Sequence, residues 1–321
     1  MEIKILITQH IPKEGLKELF DNYYVIMPGK SGFTFEEQKE LIKDADVLLS
    51  LFNSPVNKEL LNAGQKLRMI SNFGVGYNNI DIEYAHKKGI IVTNTPQPVT
   101  LPTAEHTMGL MLSLMRRITE MDRKLRADAI ADWKVMSNLG NTLNGKVLGI
   151  VGMGKIGQAT ARLANAFGMK VKYYSRNRIN ADLERELNTI WLPFNDLLQQ
   201  SDVVSLHVPL TEYTTHLIGK CELVQMRETA FLINTARGPI INELELVEAL
   251  NEKEIAGAAL DVFEMEPNIH AKLLEMDNVV LTPHIGTGTI ETRIATAKCA
   301  ADNILAFLNG QIVPNQIKPL A

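Results

Sequence analysis

The fold is decided by the stretch Val147-Leu-Gly-Ile-Val-Gly-Met-Gly-Lys-Ile-Gly157. Its first five residues are mostly apolar, which predicts a short strand buried in a parallel sheet. Three glycines follow in G-x-G-x-x-G spacing, and residues 158–167 then have a helical pattern that Gly168 closes. A strand, a glycine turn and a helix in this order indicate a dinucleotide site. A purely structural turn is the alternative.

Each glycine of this turn has its own physical role. Gly152 permits the tight turn, Gly154 lets the backbone approach a pyrophosphate, and Gly157 lets the helix pack closely on the strand. The N–H groups and the positive dipole end at the start of the helix favour phosphate there. We therefore predict cofactor contacts at these glycines and at the intervening Lys155 and Ile156.

Length and composition are those of an ordinary globular protein with two domains. The chain has 321 residues, of which 45% are hydrophobic and 22% are charged. Its net charge of −4 argues against nucleic-acid binding, because that requires surplus clustered Lys and Arg. We find no signal-peptide pattern and no apolar run near the ~20 residues of a membrane span. Two cysteines make no metal pattern. We expect a cytoplasmic protein with no metal site.

Short apolar runs alternate with helical patterns, which predicts parallel α/β sheets. The runs cover residues 3–8, 25–27, 47–51, 69–73 and 90–93 before the glycine turn, and 171–175, 203–207, 230–234, 256–262 and 278–282 after it. Prolines between residues 95 and 102 indicate a crossing between domains. One long helix is predicted over Thr103–Leu125. Its apolar residues are too many for one buried face, so we expect a homodimer in which a second chain covers them.

A second glycine-rich loop, Gly74-Val75-Gly76, follows the apolar run that ends at Phe73. Ligands of open α/β sheets bind at the carboxyl ends of strands. Consecutive backbone N–H groups in such a loop can hold an anion. The residues alone do not separate this function from that of an ordinary glycine-rich connection.

Polar side chains follow three further predicted strands. Arg237, Glu266 and His284 come after the runs that end near residues 234, 262 and 282. The carboxyl ends of parallel strands converge, so these side chains can meet around one small ligand. For a 2-oxo acid, Arg237 would hold the carboxylate. His284 would protonate the carbonyl oxygen as hydride arrives, and Glu266 would stabilise the imidazolium. Purely structural roles for Glu266 and His284 are the alternative.

The remaining histidines are predicted to be surface or packing residues, with one exception. His207, in His-Val-Pro-Leu-Thr, lies at a strand end close to the glycine turn and is a candidate for cofactor contact. The histidines predicted to be surface or packing residues are His10, His86, His106, His216 and His270.

Five motifs can be compared with known families: the glycine turn, His207-Val-Pro-Leu-Thr211, Asn234-Thr-Ala-Arg-Gly238, Asp261-Val-Phe-Glu-Met-Glu-Pro267 and Pro283-His-Ile-Gly286. Together they resemble the D-isomer-specific 2-hydroxyacid dehydrogenase family over nearly the whole chain, most specifically from 145 to 286. The resemblance implies a flavodoxin-like parallel-sheet substrate domain, residues 1–100. Inserted after it is a Rossmann-type dinucleotide-binding domain, residues 101–288, and residues 289–321 return to the substrate domain. Arg237, Glu266 and His284 become the catalytic set. Residues 74–76, with Arg237 and His284, become the substrate contacts.

The resemblance also implies a homodimer through the 103–125 helix and a wider set of cofactor contacts. Beyond the glycine turn, these contacts are Ser175, Arg176, Asn177, His207, Pro209, Thr235, Ala236, Arg237, Asp261, His284 and Gly286.

Two positions depart from the family pattern. Many members end the second cofactor strand with an aspartate, where this chain has Ser175, and Gly288 replaces the usual small residue after His-Ile-Gly. An acidic residue at the position of Ser175 would bind the ribose 2′-hydroxyl of NAD and repel a 2′-phosphate. Ser175 and Arg176 instead favour NADP(H), with NAD(H) as the other possible cofactor. Solvated loop charges at Arg176 and Arg178 are the alternative.

Within the family, Tyr173-Tyr-Ser-Arg176 and Trp133-Lys134 look most like glyoxylate and hydroxypyruvate reductases. Formate dehydrogenases have glutamine in place of Glu266, and long phosphoglycerate dehydrogenases have an extra domain. We therefore expect an NAD(P)H-dependent reductase of small 2-oxo acids. A non-catalytic dinucleotide-sensing regulator on the same fold is the alternative, because such proteins also keep the Arg–Glu–His set.

Overall fold

The computed structural model describes residues 2–128 and 132–318. The chain divides into two compact units. Unit 1 comprises Met1–Val99 and Gly288–Ala321, and unit 2 comprises Thr100–Thr287. The domain boundaries expected from the sequence, after residues 100 and 288, lie one residue further along the chain. No helix in the described ranges is both long and apolar enough to cross a membrane.

Unit 1 has a five-stranded parallel sheet in the order β2-β1-β3-β4-β5, which is the flavodoxin-like order. Its strands are β1 (Lys4–Ile7), β2 (Tyr24–Ile26), β3 (Val47–Leu51), β4 (Met69–Phe73) and β5 (Ile91–Thr93). Its helices are α1 (Lys17–Asn22), α2 (Phe35–Leu41), α3 (Lys58–Ala63), α4 (Ile82–Lys87) and α13 (Ile290–Leu308), with 3₁₀ turns at Lys13–Leu16 and Ile42–Asp44.

Unit 2 has a seven-stranded parallel sheet in the order β12-β11-β10-β9-β6-β7-β8. Its strands are β6 (Val147–Val151), β7 (Lys170–Tyr174), β8 (Thr189–Trp191), β9 (Val203–Leu206), β10 (Phe231–Asn234), β11 (Gly257–Leu260) and β12 (Val279–Leu281). The order reverses between β6 and β9, which is the switch point where Rossmann folds bind dinucleotides.

The helices of unit 2 cover both faces of its sheet. They are α5 (Thr100–Met115), α6 (Ile118–Asp128), α7 (Lys155–Ala166), α8 (Ala181–Glu186), α9 (Phe194–Gln200), α10 (Lys220–Leu223), α11 (Glu243–Asn251) and α12 (Ala271–Glu275), with a 3₁₀ turn at Gly238–Ile240. Neighbours such as Val203 and Val204 belong to different core clusters, one on each face. Burial on both faces explains why these strands are continuous apolar runs in the sequence.

The predicted single helix over Thr103–Leu125 is wrong. The chain forms two helices, α5 and α6, and Arg117 between them has a left-handed φ of 58°. The guanidinium of Arg117 binds Glu120 with Nε–Oε2 and Nη2–Oε1 distances of 2.7 and 2.6 Å, at the start of α6. No glycine or proline marks this break in the sequence, so the helical pattern continues through it.

The argument for a dimer from the apolar residues of α5 is also wrong. Met108, Leu110, Met111, Leu114 and Met115 are at most 5% exposed in the single chain. They pack in one core cluster with Leu148 and Ile150 of β6, and Leu112 packs against that cluster. The sheet of unit 2 therefore covers them without a second chain.

The short elements between β7 and β9 are absent from the sequence prediction. Strand β8 has three residues, and α8 and α9 have six and seven. Elements this short carry too few residues for a periodic pattern. Strand β8 is placed by its parallel pairing with β7.

Candidate active site

The predicted site residues of unit 2 lie at one edge of its sheet. Gly152 follows β6, Arg176 follows β7, His207 follows β9, Arg237 follows β10, and His284 follows β12. All strands are parallel, so these positions share the carboxyl edge. From β7 to β12 this edge spans five strand spacings, on the order of 24 Å. An extended dinucleotide can lie along such an edge.

The glycine turn after β6 has the geometry that its sequence predicts. Gly152 has φ +101°, and a Cβ there would lie 2.7 Å from the carbonyl oxygen of His207. A Cβ on Gly157 would lie 2.3 Å from the carbonyl oxygen of Gly152, so close packing excludes a side chain. Gly154 instead faces open space. It caps α7 without a side-chain acceptor, and this leaves the N–H groups of Lys155 and Ile156 for an anion.

The segment after β7 separates the two candidate arginines. Arg178 binds Glu184 through two hydrogen bonds of 2.7 Å, and the hydroxyl of Tyr173 donates to the same carboxylate. Arg176 is exposed and has no carboxylate within 4 Å in the described ranges. The hydroxyl of Ser175 donates to the carbonyl of Asn177. Arg176 is therefore the arginine of this segment that a phosphate can reach.

Arg237 is presented by a turn that Asn234 shapes. The amide of Asn234 donates to the carbonyl of Arg237 at 2.9 Å and accepts from the N–H of Ala236 at 3.0 Å. A Cβ on Gly238 would overlap the carbonyl of Phe263, so the next loop passes directly against this turn. Burial lowers the pKa of Arg237, against the charge of Glu266, which raises it. In the sequence, Asn234 is only part of a motif, and no role was predicted for it.

Glu266 and His284 form the predicted pair. Nδ1 of His284 lies 2.9 Å from Oε2 of Glu266, while Oε1 of Glu266 accepts the N–H of Phe263. Burial raises the pKa of Glu266, but the hydrogen bond and charge of His284 and the charge of Arg237 outweigh it. The net pKa is below the ordinary value, so Glu266 is an anion at neutral pH. The carboxylate of Glu266 therefore places a negative charge against the imidazole of His284.

Asp261 organises the loop that carries His284. Its Oδ1 accepts from the hydroxyl of Thr282 at 2.7 Å and the N–H of Ile285 at 2.8 Å, and its Oδ2 accepts from the N–H of Gly286 at 2.8 Å. The backbone N–H of His284 donates to the carbonyl of Asp261, and His284 has φ +52°. These bonds support a left-handed conformation that a non-glycine residue rarely adopts.

His106 belongs to this network, although the sequence predicted only a packing role for it. From α5, its Nε2 lies 3.2 Å from Oδ1 of Asp261 and 3.1 Å from the hydroxyl of Thr282. Burial raises the pKa of Asp261, but bonds from His106, Thr282 and Ile285 outweigh it and lower the net value. The available signal was a single histidine in a run of mostly uncharged residues, which does not reveal a partner 155 or more positions away.

Three further predicted cofactor contacts lie at the same edge, around β9 and β10. Burial lowers the pKa of His207 to about 4, and its Nε2 lies 2.9 Å from the hydroxyl of Ser205. His207 is therefore neutral at pH 7 and cannot repel a cation or hold a phosphate by charge. Thr235 is buried and hydrogen bonds to Thr107 of α5 at 2.9 Å. Pro209 is exposed beyond His207.

In unit 1, the loop of Gly74, Val75 and Gly76 has its carbonyl oxygens tied down. They accept from the N–H of Thr95 and from the side-chain amides of Asn94 and Asn72. The N–H of Gly74 donates to Thr95 and Asn72. Those of Val75 and Gly76 have no acceptor in the described ranges. The two unused N–H donors are available to an anion.

A cavity of about 360 Å³ in unit 2 holds none of the predicted site residues. It is lined by Phe231, Ala256 and Asn278, at the amino-terminal ends of β10 to β12, and by residues around the break between α5 and α6. The catalytic candidates are at the carboxyl ends of the same strands. This cavity is therefore separate from the candidate catalytic residues.

Known proteins resemble this chain along nearly its full length. Residues 108–286 match the family model described as D-isomer specific 2-hydroxyacid dehydrogenase, NAD binding domain. A glyoxylate reductase of Thermococcus litoralis is 44% identical over 327 aligned positions, which cover 99% of this chain and 97% of the relative.

Solved structures match over almost the whole chain as well. The TT0316 protein of Thermus thermophilus is 35% identical with a TM-score of 0.92, covering 98% of this chain and 100% of that one. An NADPH-dependent glyoxylate/hydroxypyruvate reductase of Sinorhizobium meliloti, solved with NADP and malonate, is 29% identical with a TM-score of 0.85. That match covers 99% of this chain and 97% of the other.

Proposed function

Because the chain belongs to the D-isomer-specific 2-hydroxyacid dehydrogenase family, we propose that it reduces small 2-oxo acids, glyoxylate and hydroxypyruvate first, to the D-2-hydroxy acid. NADPH is the favoured hydride donor in this proposal. The observation that carries the chemistry is the His284–Glu266 pair at 2.9 Å, at the same sheet edge as Arg237. The similarity to glyoxylate reductases supports the choice of substrates.

The glycine turn after β6 fits a dinucleotide. Open space at Gly154, uncapped N–H groups at the start of α7 and the exposed Arg176 are the features that would hold it. When bound, the nicotinamide cofactor supplies the hydride for the reaction.

In the proposed mechanism, Arg237 binds and orients the 2-oxo acid through its partly buried guanidinium. His284 gives a proton to the carbonyl oxygen as that oxygen becomes an alkoxide. Its Nδ1 is bonded to Glu266, so we assign the donated proton to Nε2. Glu266 fixes the ring and stabilises its positive charge. The N–H groups of Val75 and Gly76 are proposed to bind the substrate carboxylate.

The proposal is tested by following NADPH absorbance on addition of glyoxylate, hydroxypyruvate and pyruvate to the purified protein. We expect turnover with the first two acids and production of D-glycerate from hydroxypyruvate. A protein that binds NADPH but oxidises it with none of a broad panel of 2-oxo acids would instead be a dinucleotide sensor. The preferred acid is the one with the highest kcat/KM.

Replacing Glu266 with glutamine should change the pH dependence of reduction. Glutamine keeps the shape of Glu266 and one of its two hydrogen-bond acceptors, and it removes the negative charge 2.9 Å from the imidazole. The anion favours the protonated imidazole that reduction requires, so its loss should make activity fall at lower pH than in the parent. Profiles of kcat/KM from about pH 5.5 to about pH 9.5 measure this. An alkaline limb at the parent's pH would remove Glu266 from the mechanism.

We also propose a homodimer, in which the exposed apolar segment after residue 131 forms the contact between the two chains. The segment after residue 131 exposes Trp133, Val135 and Met136 by 87, 91 and 78%. Adjacent apolar side chains this exposed are typical of an interaction surface. Light scattering at micromolar concentration should give twice the chain mass of 35.8 kDa. Serine at all three positions should give monomers, and a monomeric parent would contradict the proposal.

A further inference from the structure

Most arginines of the described chain pair with a carboxylate, and four do not. Arg116, Arg176, Arg237 and Arg293 have no carboxylate oxygen within 4 Å in residues 2–128 and 132–318. Arg116 and Arg176 are exposed, where water can solvate the charge. Arg237 has already been assigned to substrate binding. Arg293 remains, a partly buried cation of unit 1 with no role.

Arg293 is held at the carboxyl end of the unit 1 sheet. It lies in the first turns of α13, and its guanidinium carbon is 5.9 Å from the ring centres of both Phe52 and Phe73. Phe73 ends β4, and Phe52 directly follows the neighbouring β3. Both are cation–π contacts, which leave the hydrogen-bond donors of the guanidinium unused.

The same edge carries the loop with unused N–H groups. Gly74 directly follows Phe73, and a Cβ on Gly74 would lie 4.0 Å from the Cβ of Phe52. The aromatic residues that hold Arg293 therefore also border the loop of Val75 and Gly76. Burial lowers the pKa of Arg293, and no hydrogen bond to its side chain within the described chain offsets that burial. A bound anion would supply the missing acceptor.

We propose that Arg293 is an anion-binding residue that contacts a carboxylate together with the N–H groups of Val75 and Gly76. The ligand class is a small carboxylate. Its identity as the 2-oxo acid substrate rests on the function proposed above, but the anion site itself does not. The planar fork of Arg293 matches the two oxygens of a carboxylate, which an ammonium group does not.

The experiment compares Arg293→Gln with the parent, and Arg116→Gln serves as a control that removes an equally unpaired but exposed arginine. Loss of a charge-assisted contact should raise KM for glyoxylate about 10- to 100-fold, with little change in kcat or in KM for NADPH. Arg293→Lys keeps the positive charge but lacks the planar guanidinium. Its KM for glyoxylate should lie between those of the parent and of Arg293→Gln. Arg116→Gln should resemble the parent.

A second readout does not depend on turnover. Oxalate, a carboxylate close in size to glyoxylate, should raise the melting temperature of the parent and of Arg116→Gln, with or without NADPH. The oxalate shift should be lost in Arg293→Gln and reduced in Arg293→Lys. This arm stands even if the parent reduces no 2-oxo acid, so failure of the proposed function is distinguishable from failure of this site.

Three results would overturn the proposal. One is a parent that oxalate does not stabilise. Another is an Arg293→Gln variant that melts at lower temperature but keeps the parent's KM and oxalate shift, since Arg293 would then only fill space between two rings. Should Arg293→Gln fail to fold, Arg293→Lys decides the question. The third result is a parent-like KM and oxalate shift in Arg293→Lys, which would exclude recognition by the guanidinium fork.

Discussion

Replacing His284 with alanine is expected to lower kcat for glyoxylate reduction by about 10²- to 10⁴-fold, the usual contribution of a general acid. The carbonyl oxygen then has only water as a proton source. Binding of NADPH, measured by fluorescence titration, should be nearly unchanged, because the glycine turn and the segment after β7 are intact. Stopped-flow measurement of a single turnover should report the loss directly in the hydride-transfer step.

The matched control is His216→Ala. His216 also bonds to a carboxylate, Glu264 at 2.6 Å, only two residues before Glu266. If the His284–Glu266 pair were only structural, as the His216–Glu264 pair is expected to be, the two alanine variants would have similar kcat values. We expect His216→Ala to keep kcat within a few-fold of the parent. Near-normal turnover at neutral pH in His284→Ala would refute the assignment of the acid.

The second large effect concerns the 2′ position of the cofactor. Arg176→Ala is expected to weaken kcat/KM for NADPH by about 10- to 100-fold and to leave that for NADH nearly unchanged. The exposed guanidinium of Arg176 has no carboxylate partner in the described part of the chain, so it is available to a 2′-phosphate, which NADH lacks. No acidic residue lies between Gly157 and Ala181 to favour NADH instead.

Arg178→Ala removes the same charge two positions away and is the control for this experiment. Arg178 is held by Glu184, whose pKa falls to about 2 chiefly because of that arginine. Its removal should lower the melting temperature and affect both cofactors equally. A parent that prefers NADH, or equal losses for both cofactors in Arg176→Ala, would show that Arg176 does not read the phosphate.

The sequence was sufficient for the features that depend on local order. The glycine spacing from Gly152 to Gly157 predicts the tight turn and the close helix packing, because the positive φ of Gly152 and the contact of Gly157 with the carbonyl of Gly152 are local. The close approach of Gly152 to His207, 55 positions away, did not follow from the spacing. The alternation of strands and helices predicts parallel sheets, and parallel strands bring their carboxyl ends to one edge. The pairing of Glu266 with His284 followed from that rule, although 18 positions separate them.

Tertiary structure alone decided which polar groups are already occupied. Arg176 and Arg178 look equivalent in the sequence, but only Arg178 meets a carboxylate within the described ranges. His106 bonds to Thr282, 176 positions away, and Arg293 lies between two rings from other elements. Packing against β6 buries the apolar residues of α5 that suggested a dimer. Periodicity reports that a residue is apolar or polar, whereas its partner depends on chain segments that only the folded sheet brings together.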